Sequence, residues 1–239
     1  MALSNEQGIV LRSYAFGEAD KVVILLSPNR GKLRTVAKGV RRTKSRFGGR
    51  LETFTHVDLV LYEGKNLDTI TQVAIIEAFP HLRADLDRVV VAGTMVEVAD
   101  LVAQEDEPAR RLFLLLHRGL KVLDDGAPHP DLVTGYLLKA AAIVGVAPAL
   151  EHCAGCGAEA GLTRFSFSAG GVLCDRCRTP GSYALREGLT AYLAAIARAD
   201  LASLPAADVS LSREAMGVAR RFAEFHLERR LDSMELLGA

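Results

Sequence analysis

The sequence predicts an α+β chain: an N-terminal β-barrel of the OB type, then a helical domain with an inserted four-cysteine zinc module. Three observations predict it. Short β-branched segments fill the first 80 residues, the apolar period turns helical beyond Pro80, and two Cys-x-x-Cys pairs interrupt the helical part. The expected domains are residues 1–80 for the barrel and 81–239 for the helical part, interrupted by the zinc module near 150–180.

The strand segments are GIVLRSY (8–14), KVVILLS (21–27), KLRTVAKGV (32–40), HVDLVLY (56–62) and DTITQVAII (68–76). Turn residues bound them: Gly17, the Pro28-Asn29-Arg30-Gly31 stretch, Gly48-Gly49 and Glu63-Gly64. Five such strands suffice for a small closed or partly open barrel, with an open sandwich as the other arrangement. Residues 85–103 are rich in valine, yet their length favours a helix. A second helix is expected over 109–123, turning Leu112, Leu116, Leu120 and Leu123 inward. A third follows Pro130, with Leu132, Tyr136, Ala140 and Ile143 on one stripe. Residues 182–199 and 212–231 read as two more, the last with Leu211, Ala215, Val218, Phe222 and Phe225 facing the core.

Composition excludes several classes. At 239 residues and 49% hydrophobic, the chain can bury a substantial core, and 24% charge with eight prolines does not suit a disordered chain. The longest apolar run, AAAIVGVAPAL (140–150), is too short to span a membrane and contains Pro148. The start, MALSNEQGIVL, lacks the basic head and long apolar stretch of an export signal. Four cysteines without such a signal point to a reducing compartment, so the expected address is the cytoplasm.

Net charge is zero, but its distribution is not even. Nine basic residues and no acid lie between Arg30 and Arg50, leaving 20 bases against 29 acids elsewhere. Within KGVRRTKSRFGGR (38–50) six of thirteen positions are basic. Such crowding is self-repulsive unless a polyanion is present, and it falls on and between strands of a fold that binds oligonucleotides. The candidate phosphate contacts are Lys38, Arg41, Arg42, Lys44 and Arg46, extended by Lys32, Arg34 and Arg50. Phe47, Tyr14, Phe16 and Tyr62 are candidate stacking aromatics, whereas Phe54 and Phe79 suit the core equally well. A solvated loop is the plain alternative for the whole run.

CAGC (153–156) and CDRC (174–177) are separated by seventeen residues. A two-residue gap lets one tight turn present two thiolates to the same ion, so Cys153, Cys156, Cys174 and Cys177 are expected to hold one zinc. Four protein ligands leave no open position, which makes the ion structural. The intervening FSFS and Gly170-Gly171 read as a hairpin, and His152 as a bystander. No phosphate-binding loop, dinucleotide fingerprint, H-E-x-x-H or G-x-S-x-G motif is found. The six histidines are scattered, and Glu105-Asp106-Glu107 reads as an exposed helix end. No nucleophile or acid–base pair stands out, so an enzyme is not expected.

The segments GIVLRSYAFGEADKVVILLS (8–27), GKLRTVAKGVRRTKSRFGGRLETF (31–54), LVLYEG (59–64) and HLERRLDSMELL (226–237) resemble the bacterial RecO family of recombination mediators. The resemblance covers the whole architecture, with the basic motif as its most specific part. GEAD (17–20) departs slightly from the family's usual G-E-S-D. It implies binding to single- and double-stranded DNA, annealing of complementary strands, and help in loading recombinase. It also implies RecR and the acidic tail of single-strand-binding protein as partners, the tail on the helical domain. The expectation is a non-catalytic DNA-binding protein of recombinational repair. An RNA-binding or transcription-associated zinc protein is the alternative, and an enzyme acting on nucleic acid a third class.

Overall fold

The computed structural model describes residues 2–43, 45 and 47–237. Two of the expected phosphate contacts, Lys44 and Arg46, therefore lie outside the described residues. Strands β1 (Leu3–Phe16), β2 (Asp20–Ser27), β3 (Gly31–Ala37), β4 (His56–Tyr62) and β5 (Asp68–Glu77) close into a barrel in the order β1-β2-β3-β5-β4. Neighbours are antiparallel except β3 and β5, which meet in parallel over Thr35↔Asp68 and Val36↔Thr69. This is the OB arrangement.

β1 runs beyond the expected 8–14 at both ends because it serves two partners. Residues 3–9 pair with β4 and residues 9–16 with β2, with a register shift between Val10 and Arg12. A bulge of this kind bends the strand, which a closing barrel needs. β3 stops at Ala37, short of the expected 40, because the chain turns there towards the β1–β2 connection: Gly39 N–H donates to Asp20 Oδ1 at 2.7 Å and Arg41 N–H to Ala19 O at 2.9 Å.

Period-two alternation sends Val10, Val23, Leu25, Leu33, Val57, Leu59, Leu61 and Ile70 into the barrel core. Phe47 and Leu51, from a short 3-10 segment (Gly48–Leu51) and the residue before it, join them. Phe47 is only 1% exposed. The expectation that it stacks on bases is therefore corrected: its ring is worth more in the core than on a charged surface. Phe54 and Phe79 are buried too, whereas Tyr14, Phe16 and Tyr62 are 40–50% exposed.

Among the described residues six helices follow: α1 (Pro80–Arg83), α2 (Leu86–Val102), α3 (Arg110–Asp125), α4 (Leu132–Ile143), α5 (Leu189–Arg198) and α6 (Val209–Leu227). Asp85 caps α2 by accepting from the amides of Asp87 and Arg88, and Asp208 caps α6 through Ser210 and Leu211. The chain packs as two compact units, one from Met1–Ala92 with Ala99–Asp125, the other from Gly93–Val98 with Gly126–Ala239. In the first, α3 lies on β1 and β2 with Leu112, Leu116, Leu120 and Leu123 buried as the stripe requires.

In the second unit α4 is buried almost all round and packs against α5 and α6. Tyr136 donates to Met95 O at 3.0 Å, and burial pushes its pKa up, so it stays a donor. Fully buried Asp131 accepts from Tyr192 of α5 at 2.5 Å and from Ser212 of α6 at 3.1 Å. A three-stranded sheet, β6 (Leu162–Ser166), β7 (Gly171–Cys174) and β8 (Tyr183–Ala184), has the order β7-β6-β8. The β6–β7 pair is the expected hairpin. The helix expected over 182–199 begins only at Leu189, because Tyr183 is drawn into the sheet opposite Phe165. The last helix runs over 209–227 in place of 212–231, starting at its Asp208 cap. Phe225 does not face the core as expected but is 49% exposed, although Ala215, Val218 and Phe222 are buried. No helix among the described residues is long and apolar enough to cross a membrane.

Phe47→Ala should lower stability by about 3–5 kcal/mol, the usual cost of emptying a buried aromatic site. Urea unfolding measures it, and a loss below about 1 kcal/mol would place the ring outside the core.

Candidate functional site

The outer face of β1–β3 is where the basic strand residues gather. Cross-strand partners Arg12↔Ile24 and Ile24↔Arg34 set Arg12 and Arg34 in one row, while Tyr14↔Val22 and Val22↔Val36 make the next. Lys32 shares the face with Arg34, since alternate residues of a strand point the same way. Tyr14 sits beside Arg34 and, with Glu105, raises the arginine's pKa through hydrogen bonding and charge. Arg12 lies over the Tyr14 ring at 6.0 Å. Phe16 extends the exposed aromatic edge.

Beyond β3 the loop carries Lys38, Arg41 and Arg42, all exposed. Arg41 Nη1 donates to Gly17 O at 3.3 Å, which holds the loop against the β1–β2 turn. Among the described residues no carboxylate is within ion-pair distance of these three. Arg50, also exposed, donates to Phe47 O at 3.3 Å. The buried Phe47 thus anchors the far end of the loop that carries exposed Lys38, Arg41 and Arg42.

The acids 105–107 are exposed just beyond the end of α2, as expected, and Glu105 and Asp106, with Asp100 of α2, also pair with the basic face. Lys32 Nζ is 3.3 Å from Asp100, which also takes Arg12 at 2.5 Å. Arg34 is 3.8 Å from Glu105, and Arg30 bridges Asp68 at 2.7 Å and Asp106 at 3.2 Å. Backbone contacts dock this segment: Lys32 N–H donates to Gln104 O at 2.8 Å and Ala109 N–H to Pro28 O at 3.1 Å. Gly31 permits the approach, having a φ of +63°, and any Cβ there would lie 2.3 Å from Glu107 O and 2.4 Å from Gln104 O. The signal for this pairing was present as an acidic run at 105–107 opposite a basic run at 30–34, but nothing local joins them.

In the second unit the four cysteines converge, with their sulfurs all within 4.8 Å of one another. The first pair sits on a knuckle closed by Cys153 N–H to Ala158 O and Gly157 N–H to Cys153 O, both 2.8 Å. The second ends β7 and enters a 3-10 turn (Asp175–Cys177). Gly155 leaves room for Cys177, whose Cβ would be 3.1 Å from an added methyl.

A tetrahedral ion with metal–sulfur bonds near 2.3 Å spaces its ligands at about 3.8 Å. Cys156 and Cys174 Sγ are 3.8 Å apart. The amide of Cys174 donates to Cys153 Sγ at 3.4 Å and leads the effects that push the Cys153 thiol down to about 6. Sharing hydrogen bonds with Cys156, Cys174 and Cys153 pushes Cys177 up to about 12. Four thiolates this close cannot all ionise unaided, and a dication removes that conflict. The donor set fits a metal ion, closed on all four sides, and His152 is not part of it.

One convergence escaped sequence reasoning altogether. His56 of β4, Glu77 of β5 and His117 of α3 meet in the first unit. Burial, reinforced by His117, pushes the His56 pKa down to about 4, so its ring is neutral near pH 7. Sequence separations of 21 and 40 residues carry no helical or hairpin signal of such a meeting.

A five-stranded OB barrel with a basic and aromatic outer face, joined to a helical unit bearing a four-thiol knuckle, defines an OB-fold protein with a closed metal site. Family models described as Recombination protein O N terminal and Recombination protein O C terminal match residues 1–79 and 83–235. A protein of Nocardioides sp. named DNA repair protein RecO is 46% identical over 238 residues, 97% of this chain and 98% of that one. Proteins of the same name from Thermobifida fusca and Frankia casuarinae are 42% and 40% identical, over 99% of each chain. The chain belongs to the RecO family.

Cys174→Ser should abolish stoichiometric metal binding, weakening affinity by more than the roughly 10–100-fold typical of losing an outer-sphere partner. It should also destabilise the second unit, because metal-binding free energy is folding free energy. Metal content under reducing conditions checks this, and a folded wild-type chain that holds no metal would overturn it.

Proposed function

We propose that the chain is a non-catalytic DNA-binding protein of recombinational repair, which binds and anneals strands and assists recombinase loading. One observation carries the reading: an OB barrel presents Arg12, Lys32 and Arg34 with Tyr14 and Phe16 on one face, continued by exposed Lys38, Arg41 and Arg42. Membership of a family whose relatives are named DNA repair proteins supports it.

Phosphates of a single strand meet Lys38, Arg41, Arg42, Lys44 and Arg46, with Lys32, Arg34 and Arg50 extending the track. Such contacts neutralise backbone charge without reading sequence. Two strands brought to one basic surface lose part of their mutual repulsion, which is the electrostatic requirement for annealing. Tyr14 and Phe16 offer stacking that tolerates any base. Glu105 offsets Arg34 in an exposed ion pair worth only about 0–1 kcal/mol, which phosphate displaces readily, whereas Asp100 holds Lys32 in a pair only 15–20% exposed. The loop is the stronger anchor.

The four cysteines hold one zinc ion, since an all-thiolate tetrahedral set suits it, and the closed shell gives it a structural role. RecR and the acidic tail of single-strand-binding protein are partners on family grounds, and the place of action is the cytoplasm, on the nucleoid.

If about five phosphates are neutralised, log affinity for oligo(dT) should fall against log salt with a slope near −3.5, from roughly −0.7 per contact. Arg41→Glu with Arg42→Glu should weaken binding similarly across sequences and flatten the slope by about 1 or more. A folded double variant with wild-type affinity and slope would defeat the assignment. Tighter binding to RNA in direct competition would favour an RNA-binding role.

A further inference from the structure

His56 opens β4, Glu77 closes β5 opposite it as its cross-strand partner, and His117 reaches them from α3. A ring nitrogen of each histidine and a carboxylate oxygen of Glu77 all lie within 4.8 Å of one another. His117 Nε2 is 2.8 Å from Glu77 Oε2, while the other oxygen, Oε1, faces Lys121 Nζ at 3.3 Å. That arrangement alone is an ordinary ion pair. His56 is what it leaves unexplained.

His56 is 7% exposed, and its Nε2 is 3.0 Å from Gln7 Oε1. An amide oxygen only accepts, so the proton belongs on Nε2 and Nδ1 is a bare lone pair. Nδ1 is buried and has no hydrogen-bond partner among the described residues. A buried acceptor without a donor is costly, and buried polar groups are seldom left so. The ring of Phe113 packs 5.3 Å from that of His56 and the ring of Phe79 6.0 Å from that of His117, while His117 and Glu77 keep 32% and 27% of their side chains open to solvent.

We propose that His56, Glu77 and His117 form a second metal site, for a divalent transition ion of the zinc–cobalt–nickel class. Two imidazoles and a carboxylate are borderline donors that suit those ions better than calcium or magnesium. Gln7 is the outer-sphere partner that fixes the His56 tautomer, and Lys121 orients the carboxylate by its free oxygen. Three protein ligands leave a coordination position open, unlike the closed four-cysteine site. The ion joins two strands of the barrel to the helix laid against it.

The test uses the full chain with its cysteine site loaded with zinc, freed of excess metal and titrated with Co²⁺. A second ion per chain is expected, with visible cobalt d–d absorption but no thiolate-to-cobalt charge-transfer band. His117→Ala and Glu77→Gln should each weaken that binding by about 10-fold or more while retaining the zinc. His117 is partly exposed and Glu77→Gln keeps its shape, so folding is checked by circular dichroism and the second variant decides if the first unfolds. Saturation at one ion per chain would overturn the proposal. So would a second ion bound with wild-type affinity by the folded variant.

Discussion

The barrel depends on one strand doing two jobs. β1 pairs with β4 through residues 3–9 and with β2 through residues 9–16, and the shift at Val10 and Arg12 is where it changes partner. Without that bend the five strands would remain an open sheet whose two outer strands expose unpaired backbone. Closure then needs only the short parallel contact of β3 with β5. The strand part of the proposed DNA-binding face follows from this geometry. Arg12, Tyr14 and Phe16 lie on the arm of β1 beyond the bend, directed along the same face as Lys32 and Arg34.

The zero net charge is a folded balance as well as a numerical one. Asp100, Glu105 and Asp106 lie over Arg30, Lys32 and Arg34, held there by backbone bonds that require Gly31. The free chain thereby avoids part of the self-repulsion that nine clustered bases would impose. The pairs of Arg34 with Glu105 and of Arg30 with Asp106 are exposed and therefore weak, whereas Lys32 and Asp100 are largely buried. The loop carrying Lys38, Arg41 and Arg42 has no such cover among the described residues. The strand bases are thus partly neutralised and the loop bases poised, a division of labour within one basic run.

Much of this was legible because it is local. The alternation of HVDLVLY, the leucine spacing of α3 and the Cys-x-x-Cys pairs each report on neighbours a few residues apart, and each appears as expected. What was illegible is long-range. Phe47 reads as a surface aromatic from its basic neighbours, yet the barrel needed its ring. Tyr183 left its helix for a strand whose partner lies eighteen residues away. The acidic segment and the His56–Glu77–His117 meeting are set by closure of the barrel and by the seat of α3, which no short window of sequence encodes.

The central claim is that single-stranded DNA lies on the outer face of β1–β3 and the loop that follows. Photo-crosslinking of a substituted oligothymidine to the full chain, with peptide mapping, tests it most directly. The account predicts adducts at Tyr14 and Phe16 and in the peptides bearing residues 38–42. Adducts confined to the helices of the second unit or to the cysteine knuckle, with the β1–β3 face unlabelled, would contradict it.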